Sequence, residues 1–123
     1  MANGANADSA APVLVPGLTG ITAVSIGAEF GLALKNDGTL WSWGFNNCGS
    51  LGDGNDSEDA NVPMQVVGLT TVTAVAAAWD EHGLAITNDG TAWSWGLNIN
   101  GQLGVGGSFE TAPSCSSVPL QVL

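Results

Sequence analysis

Residues 36–54 read NDGTLWSWGFNNCGSLGDG, and residues 88–106 read NDGTAWSWGLNINGQLGVG. A chain that repeats nineteen residues with so few changes is built from units, and a search for the rest of the unit comes first. VPGLTGITAV from Val15 matches VVGLTTVTAV from Val66, at an offset of 51 residues. FGLALKNDG from Phe30 matches HGLAITNDG from His82 at an offset of 52, so one residue has entered near AAAWDEHG. VPMQV from Val62 returns as VPLQV from Val118, and APVLV from Ala11 resembles a third copy of that piece. The organisation is an N-terminal tail over residues 1–11, a first repeat over 12–62, and a second repeat over 63–123 that includes a C-terminal edge strand.

Each repeat reads as strands. ITAVSI, GLALK and LWSWG are short and rich in β-branched or aromatic residues, and no segment keeps a helical period. The 18 glycines cluster between these runs and mark tight turns. Asp37-Gly38 and Asp89-Gly90 are hairpin signals, because a two-residue type I′ turn needs positive φ at both centres. With such a turn, Leu34 faces Trp41 and Leu32 faces Trp43, so all four share one side of the sheet. Leu84, Ile86, Trp93 and Trp95 repeat the scheme, and Ala33, Lys35, Leu40 and Ser42 line the other side in the first unit. A sheet with one bulky and one small side stacks in series, bulky side on small side.

The spaced set of LAL, NDG, WG and N-x-x-G-x-L-G, followed by VPMQV, resembles the regulator of chromosome condensation repeat. Residues 96–104, GLNINGQLG, match the last part of that pattern closely, and the resemblance spans roughly residues 12–123. It implies an all-β chain of two four-stranded antiparallel propeller blades. The family's propellers typically have seven blades, and its members mostly act as protein-interaction scaffolds. Some exchange nucleotide on a small GTPase or bind chromatin, and another branch resembles secreted propellers that inhibit β-lactamases.

Charge removes several function classes. Eleven acidic residues stand against one basic residue, Lys35, for a net charge of −10. Such a chain repels phosphate backbones, which excludes nucleic acid as a partner and undercuts a chromatin role, and it is repelled by anionic membranes. No apolar run reaches the length of a membrane span, and the N-terminus lacks the basic-then-apolar pattern of a signal peptide. With one His, one Lys and no Arg, little remains for acid–base, phosphoryl or acyl chemistry. His82 occupies the position of Phe30 in the first repeat and reads as structural. The expectation is no enzyme and no cofactor.

The remaining candidates are few. Asp53, Asn55, Ser57 and Asp59 alternate like oxygen ligands for calcium, but Glu58 and Met64 stand where an EF-hand needs Gly and Glu, so a solvated acidic loop is the better reading. Cys48 and Cys115 lie in non-equivalent loops without CxxC spacing, and two free thiols are expected ahead of a disulfide. Trp41, Trp43, Trp93 and Trp95 read as blade core rather than a stacking platform. Trp79, in the inserted stretch, and Phe109, in a long loop, are candidates for partner contact.

Two blades are a fraction of a ring. The expected function is therefore a scaffold for protein–protein interaction that completes its propeller by assembling with copies of itself. Three chains would give six blades and four would give eight, with three ahead and an open filament as a further outcome. The alternative is a small-molecule or glycan binder that uses the channel or the loop face.

Overall fold

The computed structural model describes residues 3–5, 7–107 and 112–123. Among the described residues, eight strands form two four-stranded antiparallel sheets in sequential order. The first sheet holds β1 (Ile21–Ile26), β2 (Phe30–Lys35), β3 (Leu40–Gly44) and β4 (Ala60–Gln65). The second holds β5 (Val72–Ala77), β6 (His82–Thr87), β7 (Ala92–Leu97) and β8 (Cys115–Gln121). Among the described residues the one helical piece is a 3-10 turn at Asn47–Gly49. These are two propeller blades. The repeat boundary read at residues 62 and 63 falls inside β4, and the sheets divide in the linker between Gln65 and Val72.

The hairpin register differs from the sequence expectation by one residue. Leu34 pairs with Leu40, Ala33 with Trp41, Leu32 with Ser42 and Gly31 with Trp43. The cause is the turn. Gly38 N–H donates to Lys35 O at 3.0 Å and Lys35 N–H donates to Thr39 O at 3.0 Å, so the loop has three residues, Asn36, Asp37 and Gly38, with Gly38 at φ +82°. A three-residue loop ending in a left-handed glycine replaces the two-residue turn, and a one-residue slip sends every side chain to the opposite side. Leu32 and Leu34 therefore do not share a side with Trp41 and Trp43. Each blade instead has a leucine side and a tryptophan side. On the tryptophan side each ring lies over a position with little or no side chain. A Cβ on Gly31 would sit 2.6 Å from the Trp43 ring, and one on Gly83 would sit 2.3 Å from the Trp95 ring.

The core lies between the blades. The leucine side of blade one, with Leu32, Leu34 and Leu40, packs on the tryptophan side of blade two, with Ala85, Trp93 and Trp95. Val66 and Leu69 of the linker close this cluster. Trp95 is fully buried. One covalent link joins the blades: Cys48, in the 3-10 turn, is disulfide-bonded to Cys115 at the start of β8, with the Cα atoms 5.1 Å apart. The expectation of two free thiols is thus overturned. The two positions are 67 residues apart in sequence and non-equivalent in the repeat, yet they meet because they lie across a seam between successive blades rather than within one.

Candidate protein-interaction site

The repeated motif first builds rigid blades. Asp37 Oδ1 accepts from Thr39 N–H at 3.0 Å and from Thr39 Oγ1 at 2.6 Å, and Thr39 Oγ1 in turn accepts from Trp41 Nε1 at 3.0 Å. Asp89, Thr91 and Trp93 repeat this relay. The Thr39 hydroxyl holds the Asp37 carboxyl below its usual range, and the Thr87 hydroxyl, then Thr91, does the same for Asp89. In W-S-W the serine is buried and donates across the blade: Ser42 Oγ to Leu51 O and Ser94 Oγ to Leu103 O, both at 2.6 Å. Asn46 Oδ1 accepts from Leu51 N–H and Asn98 Oδ1 from Leu103 N–H, each at 3.0 Å, which folds the N-x-x-G-x-L-G loop back on its own sheet. Buried amides of this kind are held because an unpaired one is costly. The sequence places Ser42 on one side of the sheet and the asparagine in the repeated loop motif, but not in these buried roles, for which recurrence in both repeats was the available signal.

The seam between the blades is fixed by polar links around the apolar cluster. Trp95 Nε1 donates to Ser50 O at 3.0 Å, Ala77 N–H to Ser25 Oγ at 2.9 Å, Asn47 Nδ2 to Glu81 Oε2 at 2.7 Å and Gly54 N–H to Ser117 O at 3.0 Å. The disulfide adds to these.

Two sides remain uncovered. On blade one the tryptophan side carries half-buried Trp41 and Trp43, with Val24 65% and Ile26 67% exposed on β1. Their counterparts in blade two, Val75 and Ala77, are partly buried against the core. On blade two the leucine side carries half-buried Leu84 and Ile86, which is 47% exposed, where the matching Leu34 of blade one is 4% exposed. Exposed apolar residues on an open sheet side are the kind of surface that interaction sites use.

The third surface is the rim formed by the β1–β2, β3–β4 and β5–β6 loops. It gathers Glu29, Asp53, Asp56, Glu58, Asp59, Asp80 and Glu81. Trp79 stands there 82% exposed, and Phe45, on the β3–β4 loop, is also exposed. His82 Nδ1 lies 2.7 Å from Asp80 Oδ1 without hydrogen-bond geometry, and the imidazole is half-buried at the start of β6. Two of the calcium candidates have their carboxylates engaged by neighbouring donors. Asp53 accepts from Asn55 and Asp59 from Asn46 N–H, and no group of three or more His, Cys, Asp or Glu among the described residues is placed to hold a metal. Phe109 lies outside the described residues.

Comparison with known proteins agrees with this architecture. One model of the regulator of chromosome condensation (RCC1) repeat matches residues 37–86 and 89–123, and a second matches residues 21–50 and 72–102. The chain is 37% identical over 92 residues to Protein RCC2 of Homo sapiens, covering 74% of this chain and 17% of that protein. It is 37% identical over 92 residues to the ultraviolet-B receptor UVR8 of Arabidopsis thaliana, covering 73% of this chain and 20% of that protein. Its fold superposes on yeast RCC1 (Prp20), solved bound to Kap60, with a TM-score of 0.76 at 27% identity, over 89% of this chain and 24% of that one. Human WBSCR16 superposes with a TM-score of 0.69 at 24% identity, over 84% of this chain and 25% of that one. The chain thus spans a quarter or less of each of these relatives.

Proposed function

The chain belongs to the regulator of chromosome condensation (RCC1) repeat family, and on that premise we propose that it is a non-enzymatic protein-interaction scaffold that completes a β-propeller with copies of itself. Proteins of this family bind other proteins; yeast RCC1 has been solved bound to Kap60. The observation that carries self-assembly is the pair of uncovered blade sides. One is a tryptophan side and the other a leucine side, and those are the two kinds of side that pack together inside the chain. The contact is head to tail, so it propagates until a ring closes. Burying several hundred Å² of apolar surface at about 25 cal/mol per Å² supplies on the order of 10 kcal/mol per contact, against which association and ordering costs are set.

A completed ring leaves the loop rim free for other proteins, and Trp79 is the residue proposed to meet them, since exposed tryptophans anchor interfaces. The scarcity of catalytic side chains supports a scaffold rather than an enzyme: the chain has one His, one Lys and no Arg, and the His82 ring is set against Asp80. Light scattering coupled to size exclusion tests the reading. A mass of three chains is expected, with four as the alternative ring, and the oligomer tightens with salt because each chain carries a charge of −10. A folded monomer at micromolar concentration, in both low and high salt, contradicts it.

A further inference from the structure

Resting on the self-assembly reading above, we infer that a second copy docks its blade one onto blade two by the same geometry as the internal seam, but without that seam's latches. The repeat lets the internal seam be subtracted from the open one. A Cβ on Gly38 would meet Thr70 O at 2.5 Å, one on Gly49 would meet Ser117 Cα at 2.4 Å, and one on Gly52 would meet Trp95 Nε1 at 2.8 Å. All three neighbours come from blade two or the linker that leads into it. The counterparts in blade two are Gly90, Gly101 and Gly104. Among the described residues Gly90 and Gly101 have nothing within 4 Å, and Gly104 keeps only its contact with Val122. The same three places are filled at the internal seam and open at the outer one. At the second and third of these places lies a depression of about 650 Å³, lined in part by Ile99, Asn100, Gly101 and Gly104.

The incoming side is equally specific. Trp43 stands where Trp95 stands, over Gly31 as Trp95 lies over Gly83. Trp95 Nε1 donates to Ser50 O, whereas Trp43 Nε1 has no acceptor among the described residues. The repeat counterpart of Ser50 is Gln102, so the main-chain carbonyl of Gln102 in the receiving copy is the acceptor that docking supplies. Asn61, the counterpart of Ser117, has its carbonyl engaged by Gly4 N–H at 2.8 Å, a tail contact in the place where Gly54 N–H meets Ser117 O. Docking exchanges Gly4 for Gly106 of the receiving copy.

The latches do not carry over. The counterparts of Cys48 and Cys115 are Asn100 and Asp59, so no disulfide forms. The counterpart of Ser25 is Ala76, which has no hydroxyl for the incoming strand. The counterparts of Asn47 and Glu81 are Ile99 and Glu29, which form no hydrogen bond. The outer seam keeps the apolar fit and the Trp43 acceptor and loses one covalent and two polar links. The latched two-blade chain is therefore the permanent unit, and copies exchange at the outer seam.

The test installs the missing latch. The double variant Asn100→Cys with Asp59→Cys recreates at the outer seam the pair that sits 5.1 Å apart inside the chain. After oxidation, a non-reducing denaturing gel is expected to show covalent multiples of the chain, while wild type and each single variant run as one chain. If light scattering finds oligomers but the oxidised double variant runs only as single chains, copies meet elsewhere; this inference fails and the scaffold reading stands. If neither oligomer nor cross-link forms, both fail. Asp59 accepts from Asn46 N–H at 2.9 Å, so a second variant guards against misfolding. Ile86→Glu places a carboxylate on the open side without touching the internal seam, and is expected to weaken association about tenfold or more. Unchanged association in Ile86→Glu also overturns the inference.

Discussion

Asp37 and Asp89 each hold a turn and, through one threonine, the indole of the tryptophan two residues beyond it. Both carboxyls are held below their usual range by hydroxyl donors. A carboxyl whose folded pKa lies below its unfolded value adds stability above the ordinary carboxylate range, and that stability is lost as pH falls through it. Asp37→Ala and Asp89→Ala are therefore expected to lower the urea midpoint at neutral pH, and the gap to wild type should shrink as pH approaches 3 or so. A gap that stays constant over that range would show that the relay does not depend on the charge. At this scale the sequence was informative where residues recur and silent where they do not. Asp-Gly and the tryptophans were legible as a pattern. Ser25, which accepts across the seam, has Ala76 as its counterpart and gave no signal.

The hairpins were legible as elements, but their register was not. Asp-Gly suits both a two-residue and a three-residue loop, and the choice rests on Thr39 and Thr91, which pair with the last strand residue before each turn. Hydrogen bonding of the turn decided against the shorter loop, and the leucine and tryptophan sides separated as a result. The glycine that ends each loop offers a comparison. Gly38 has φ +82° and Gly90 has φ +83°, but only Gly38 abuts the linker to the next blade. Gly90→Ala is expected to cost about 1–2 kcal/mol for the left-handed backbone alone. Gly38→Ala adds overpacking of about 1–3 kcal/mol. Chemical denaturation of the dissociated chain should rank them in that order, and equal losses would mean that Thr70 gives way freely.

At the scale of the whole molecule, two blades and their order could be read from the repeat, but the expected bulky-on-small contact is instead a leucine side on a tryptophan side. The cross-blade disulfide could not, because a pairing between non-equivalent loops has no signature within a unit. By loop-closure entropy a link across 67 residues stabilises the chain by about 4 kcal/mol. Cys48→Ser is expected to lower unfolding stability by roughly that amount, and a loss below about 1 kcal/mol would show that the apolar seam alone holds the blades. The uncovered tryptophan and leucine sides follow from the same count of blades, since one pair can meet within a chain and one pair is left over. Native mass spectrometry of the oxidised chain at micromolar concentration tests self-completion most directly. A closed species of three chains, or of four, that gives way to single chains on dilution is expected. A single chain at every concentration, with its β-rich circular dichroism intact, would contradict it.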